Sequence, residues 1–266
     1  MSGADAPPPV PPALATVRVA VAGRQVTLLL DRLERANSLN AALVRDLIAA
    51  LDWTEARPDC RLVVLRGHPG CFCTGMDFQE AAAAGDGERL RMEDYMTLLR
   101  RLSQSPKVVV ARVEGRVVAG GVGLAAASDL VFATPRSEFS LSEALWGILP
   151  CCVLPFLIRR TGFQKAYAMT LTTRPVGAAE AAAMHLVDEV TEQPDEALRR
   201  LLLRVGLLEE ETIVELKAYF RKLWILTPEV ERTAVAEIGR LAAKPAVRAA
   251  IAGYATDGRF PWEGRG

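Results

Sequence analysis

Histidine is almost missing from this chain: His68 and His185 are the only two in 266 residues. Five cysteines are present, Cys60, Cys71, Cys73, Cys151 and Cys152, and none pairs with histidines at zinc-finger spacing. A Cys/His metal site is therefore not expected. The odd count also argues against a disulfide framework, and reduced thiols in a cytoplasmic protein are the expectation. Net charge is absent as well, with 32 basic and 32 acidic side chains. A nucleic-acid partner usually meets a basic face, so none is expected. Long apolar runs are lacking, because Arg, Pro or Gly interrupts each one. No segment approaches the roughly 20 apolar residues that span a bilayer, and no membrane association is expected. The Pro- and Ala-rich start has neither an early positive charge nor an apolar h-region, so it does not read as a secretory signal. Residues 1–13 read as a disordered arm.

What is there is ample core material: half of the residues are hydrophobic. Thr16–Ala22 and Gln25–Leu30 read as strands joined at Gly23-Arg24. A helix follows with Leu43, Leu47 and Leu51 on one stripe. Leu62–Leu65 and Val108–Val110 read as short buried strands. A loop from His68 to Asp77 comes after the first of these. Residues 81–87 are small and read as flexible. Met92, Tyr95, Leu99 and Leu102 mark one face of a helix that ends before Pro106. The glycine-rich stretch Gly115–Gly123 runs into an Ala-rich helix over Leu124–Ser128. Strands are predicted at Asp129–Ala133 and Glu138–Ser140. This alternation of strand and helix makes the fold class α/β. Beyond residue 195 the apolar spacing is helical, at 198–205, 213–226 and 228–241. The expected organisation is the arm, a sheet-based core over 14–195 and a helical region over 196–266.

Two loops follow buried strands and place glycine beside a helix start. Backbone N–H groups at such points have no partner inside the helix and can hold developing negative charge. Taken singly, Gly75 serves equally as a tight turn, and Gly120-Gly121-Val122-Gly123 as a close-packing device. Glu143, after Phe139-Ser140-Leu141-Ser142, reads as a carboxylate at a helix start capped by a serine. Cys151 and Cys152 read as core thiols. The residues alone lead to an α/β domain with two candidate anion-binding loops.

Taken in order, the motifs resemble a known family. Arg35-Ala36-Asn37-Ser38-Leu39-Asn40 is similar to the Asn-x-Leu-Asn segment of the enoyl-CoA hydratase (crotonase) superfamily. Phe72-Cys73-Thr74-Gly75-Met76-Asp77 resembles its first oxyanion-hole loop, and Gly115 to Leu124 resembles its second. Phe139–Glu143, with Gly147 and Pro150, resembles the segment carrying a catalytic glutamate. The resemblance covers about residues 16–192 and implies the crotonase fold, a ββα spiral with a helical trimerisation region. A closer resemblance extends over nearly the whole chain. It rests on Phe139–Arg160, Gln164-Lys165-Ala166, Met169-Thr170-Leu171 and Gly258-Arg259-Phe260-Pro261-Trp262-Glu263. These resemble the dehydratases of polyketide β-branching cassettes, which remove water from 3-hydroxy-3-methylglutaryl groups held on an acyl carrier protein (ACP).

That resemblance implies roles. The N–H groups of Met76 and Gly120 would form the oxyanion hole, and Glu143 would be the general acid/base. Hydratases usually carry a second glutamate where this chain has Gly123, which weakens a water-adding reading. Cys151 stands where hydratases have glycine and is expected, with Gly123 and Tyr95, to line the pocket. Arg89, Arg91 or Tyr95 are the candidates for holding a distal carboxylate. The resemblance also implies ACP as partner, a homotrimer or hexamer, and no cofactor beyond the phosphopantetheine or CoA thioester. Alternative readings are a CoA-dependent hydratase or double-bond isomerase, or a crotonase-fold binding protein without turnover.

Overall fold

The computed structural model describes residues 11–83 and 89–263. Strands β1 (Val17–Ala22) and β2 (Gln25–Leu30) form an antiparallel hairpin. The turn falls at Gly23, whose φ of 58° suits glycine. Helix α1 (Ala41–Glu55) buries Leu43, Leu47 and Leu51 as its stripe predicts. There follow β3 (Leu62–Arg66), β4 (Cys71–Cys73), α2 (Phe78–Ala83), α3 (Met92–Gln104), β5 (Val108–Val113), β6 (Arg116–Val118) and α4 (Gly120–Ala127). Next come β7 (Leu130–Ala133), β8 (Glu138–Ser140), a 3-10 turn (Glu143–Trp146), α5 (Leu154–Thr172), β9 (Val176–Gly177), α6 (Ala178–Ala183) and β10 (Glu189–Val190). Helices α7 (Pro194–Val205), α8 (Glu210–Lys222), α9 (Pro228–Ala242) and α10 (Pro245–Asp257) complete the described chain.

Two sheets result. One has the order β1-β2-β3-β5-β7-β10, the other β4-β6-β8-β9. All pairs are parallel except β1 with β2 and β8 with β9. Three times the chain lays one strand in the first sheet and the next in the second, then leaves through helical turns. This is the ββα spiral of the crotonase fold. Strand β3 is apolar on both faces: Val63 and Leu65 join the main core, while Leu62 and Val64 pack with Ala197 and Leu198 of α7. The buried cluster takes in Ala234, Ile238, Leu241 and Val247 from α9 and α10, so the last helices share the core of the sheets.

Several elements differ from the sequence reading. The loop after β3 contains β4, whose pairing with β6 is invisible to local periodicity. Ala81–Ala83 close helix α2 rather than belonging to a flexible stretch, and residues 84–88 lie outside the described residues. Helix α4 begins at Gly120, four residues before the predicted start. Its glycines are there because a Cβ on Gly121 would stand 2.4 Å from the carbonyl oxygen of Cys73. Of the N-terminal arm, residues 1–10 lie outside the described residues, and 11–14 form no regular element. Helix α5 has no bounds in the sequence reading, and α10 falls inside the predicted helical region over 196–266 without being delimited there. Among the described residues no helix is long and apolar enough to cross a membrane.

Asn40 ties two elements together. Its Oδ1 accepts from the Leu43 N–H at 2.8 Å as the N-cap of α1, and its Nδ2 donates to the Glu80 carboxylate at 2.8 Å. Asn40→Ala is expected to lower unfolding stability by about 1–2 kcal/mol in urea denaturation.

Candidate active site

The first loop is held by a buried clamp built from residues 32–40. Asn37, at φ 52°, accepts from the Arg32 N–H at 2.9 Å and donates to the carbonyl oxygens of Cys71 and Phe72 at 3.2 Å. Asparagine tolerates this left-handed backbone better than most residues. Arg32 is 7 % exposed and pairs with Asp77 and Glu80, each at 3.0 Å. Burial alone would raise the Asp77 carboxyl. The Glu80 N–H, Arg32 and the Ser38 hydroxyl outweigh it and hold the group below its ordinary range. The clamp ends in a parallel bridge. Leu39 N–H donates to the Gly75 carbonyl at 2.6 Å and Asp77 N–H to the Leu39 carbonyl at 2.9 Å. The N–H of the intervening residue, Met76, therefore faces away from Leu39.

The second loop brings Ala119, at φ 51° and ψ −119°, to the start of α4 with no capping side chain. Ala119 N–H donates to the Ser140 carbonyl at 2.8 Å, and the next N–H, that of Gly120, is free to point elsewhere. The two loops touch. A Cβ on Gly75, whose φ is 82°, would lie 2.7 Å from the Ala119 side chain. Neither the Met76 nor the Gly120 N–H has a hydrogen-bond partner among the described residues. Two such donors on adjoining loops are competent to bind one oxyanion.

Glu143 opens the 3-10 turn after β8, and Ser142 makes no side-chain cap bond there. The carboxylate is 8 % exposed, and its Oε2 is buried without a hydrogen-bond partner. Burial pushes its pKa up to about 7, and a hydrogen bond from its own backbone N–H offsets that only in part. Met76, Gly120 and Glu143 line one cavity of ≈ 520 Å³. A carboxyl poised near neutrality beside two free N–H donors can move a proton on carbon next to a polarised carbonyl.

Other expected residues fall differently. Tyr95 and Cys151 line the cavity. Burial pushes the Cys151 thiol up to about 11, which leaves little thiolate at neutral pH. Gly123 does not line the cavity, contrary to expectation. It is buried beneath Tyr95, and a Cβ there would stand 2.2 Å from the phenol oxygen. Arg91 lies on the surface in an ion pair with Asp94, and Arg89 is exposed, so neither lines the cavity. The arginines among the lining residues are Arg35, whose guanidinium donates to the Gln79 side chain, and Arg116. The sequence reading missed Arg32, whose only signal is a charge placed just before the Asn-x-Leu-Asn segment. It also missed the aromatic wall on Trp146, three residues beyond Glu143. Phe78, Tyr254 and Trp262 stand 4.4, 5.3 and 5.4 Å from the Trp146 ring. Of the C-terminal Phe-Pro-Trp, Phe260 lines the cavity and Trp262 packs against Trp146.

Residues 24–264 match the enoyl-CoA hydratase/isomerase family. The chain belongs to that family. It is 35% identical over 251 residues to the bacillaene synthase dehydratase PksH of Bacillus subtilis, covering 93% of this chain and 96% of that one. It is 30% identical over 186 residues to the enoyl-CoA hydratase EchA19 of Mycobacterium tuberculosis, 68% of this chain and 69% of the other. The crystal structure of a polyketide biosynthesis enoyl-CoA hydratase (pksH) from Bacillus subtilis superposes with a TM-score of 0.88 at 34% identity, covering 94% of this chain and all of that one. These relatives carry the names of hydro-lyases, and the chain is an enzyme of that class.

The strained carboxyl has a thermodynamic signature. Glu143 is raised above its ordinary 4.5 in the folded state, so its favourable balance holds below pH 4.5 and is lost as pH rises through about 7. Glu143→Gln, which never ionises, is expected to match the native protein in acid. Above pH 7 it should be more stable by up to ~3 kcal/mol, read as the difference between urea curves across pH.

Proposed function

We propose that this enzyme removes water from a 3-hydroxyacyl thioester carried on an acyl carrier protein, namely 3-hydroxy-3-methylglutaryl-ACP, to give 3-methylglutaconyl-ACP. The observation that carries the reading is a buried, half-unpartnered carboxylate, Glu143, sharing a cavity with two unpaired N–H groups at Met76 and Gly120. The near-full-length similarity to a polyketide dehydratase supports the substrate class.

The thioester oxygen accepts hydrogen bonds from Met76 and Gly120. Glu143 as carboxylate takes the α-proton, and the electron pair moves onto that oxygen, where the two donors hold the enolate more tightly than the ground-state carbonyl. The enolate collapses, the double bond forms, and the β C–O bond breaks. Glu143 hands its proton to the departing hydroxyl, which leaves as water, and the carboxylate is restored. A pKa near 7 serves both halves of this cycle. The chemistry calls for no cofactor beyond the thioester carrier. Arg35 and Arg116 replace Arg89 and Arg91 as partners for an anionic group of the substrate, whether its distal carboxylate or the phosphate of the carrier arm.

The working unit is proposed to be a homotrimer or a hexamer of two trimers. Leu216 and Phe220 of α8 and the adjacent Leu223 are each more than half exposed, a patch that a second copy would cover.

Intact-protein mass spectrometry of hydroxymethylglutaryl-ACP incubated with the enzyme is expected to register loss of ~18 Da, one water. Loss of carbon dioxide instead, or activity confined to a CoA thioester, would replace the reading by a decarboxylase or by a hydratase/isomerase. Glu143→Gln should keep ACP binding and slow dehydration by about 10²–10⁴-fold. The kcat/KM of the native enzyme should fall about tenfold per pH unit below pH 7, because protonated Glu143 cannot accept the α-proton.

A further inference from the structure

Tyr95 stands in an unusual relation to two glycines of α4. Its side chain is 4 % exposed and rises from α3, and its hydroxyl donates to the Gly120 carbonyl at 2.6 Å. Burial drives the phenol pKa well above its ordinary value, so the group stays protonated and keeps donating. Gly120 lines the cavity, and its N–H has no hydrogen-bond partner among the described residues. The Ala119 carbonyl of the same peptide accepts from the Val122 N–H at 2.9 Å. A glycine restrains its own dihedrals weakly, and no side chain caps the helix at Ala119. Upstream, the Ala119 N–H is anchored on Ser140. Downstream, the Gly120 carbonyl is anchored on Tyr95. These two bonds bracket the peptide that carries the free N–H. Room for the phenol comes from Gly123: a Cβ there would lie 2.2 Å from the phenol oxygen and 3.0 Å from Val153 Cγ2.

We infer that Tyr95 is a positioning residue: its hydroxyl fixes the direction of the Gly120 N–H toward the thioester oxygen, and Gly123 is glycine because that hydroxyl takes the space of any side chain. The inference rests on the oxyanion-donor role given to Gly120 above. It accounts for a buried glycine that does not reach the cavity, and for a tyrosine whose proton is already committed to the backbone. Tyr95 is therefore not a donor to a substrate carboxylate. A donor displaced by even an ångström loses much of its effect on the transition state while ground-state binding persists.

The test uses Tyr95→Phe, Gly123→Ala and the double variant, each checked for native thermal unfolding. The probe is crotonyl-pantetheine labelled with carbon-13 at the thioester carbonyl, and its carbonyl stretch is read on the enzyme by difference infrared spectroscopy. The native enzyme should lower that frequency. Tyr95→Phe, which removes only the oxygen, should return it toward the free value, and Gly123→Ala should do the same by pushing the phenol aside. In steady-state dehydration both single variants should lose roughly tenfold or more in kcat with KM within about twofold. The double variant should be no worse than Tyr95→Phe, because the oxygen that the added methyl group would strike is gone. A native-like carbonyl shift and kcat in folded Tyr95→Phe would overturn the inference, as would additive losses in the double variant. If the native enzyme shifts the carbonyl but does not dehydrate hydroxymethylglutaryl-ACP, the substrate reading falls and the variants still decide the role of Tyr95. No shift in the native enzyme would overturn both.

Discussion

A buried hydrogen-bonding group without a partner is costly, and proteins pair nearly all of them. Among the described residues, this fold instead leaves two backbone N–H groups and one carboxylate oxygen around a single cavity without partners. Much of the surrounding structure can be understood as what holds them so. The Arg32–Asp77 ion pair, Asn37 and the Leu39–Gly75 bond determine which way the first loop turns its N–H groups. Ser140 and Tyr95 bracket the second. The glycines at 75, 120, 121 and 123 let these parts approach closely, since a Cβ at any of them would crowd a neighbouring loop or side chain.

In the proposed mechanism the same arrangement lets one carboxyl serve as both base and acid. Glu143 sits on a short turn rather than inside a long helix, and the apolar cavity wall gives its Oε2 no partner. Desolvation then moves the group to the pH at which taking and returning a proton are comparably easy. The cost in stability sets in above pH 4.5 and is complete above about 7, the range in which the ionised base is available. Phe78, Trp146, Tyr254 and Phe260 add aromatic surface to the cavity that Glu143 lines.

The α/β class, the β1–β2 hairpin, the buried β3 and β5 strands and the stripe of α1 were legible because each follows from hydrophobic periodicity within a few residues. Met76, Gly120 and Glu143 were legible as one site only through the order of four motifs. Singly, each has an ordinary structural reading. What stayed hidden depends on contacts between distant residues. The second sheet is made of three-residue and two-residue strands that only their neighbours define. Arg91 reads like a substrate ligand in the chain and is a surface ion pair in space.

By itself, then, the sequence determined the α/β class, the first-sheet strands with clear periodicity and the family, and it singled out Glu143 as the candidate acid/base. These rest on local side-chain patterning and on motif order. The tertiary structure decided which N–H groups remain free, how far the Glu143 pKa rises, and that Gly123 yields its space to Tyr95 instead of lining the cavity. Those are properties of desolvation and close approach between loops and helices distant in sequence, and no single segment carries them.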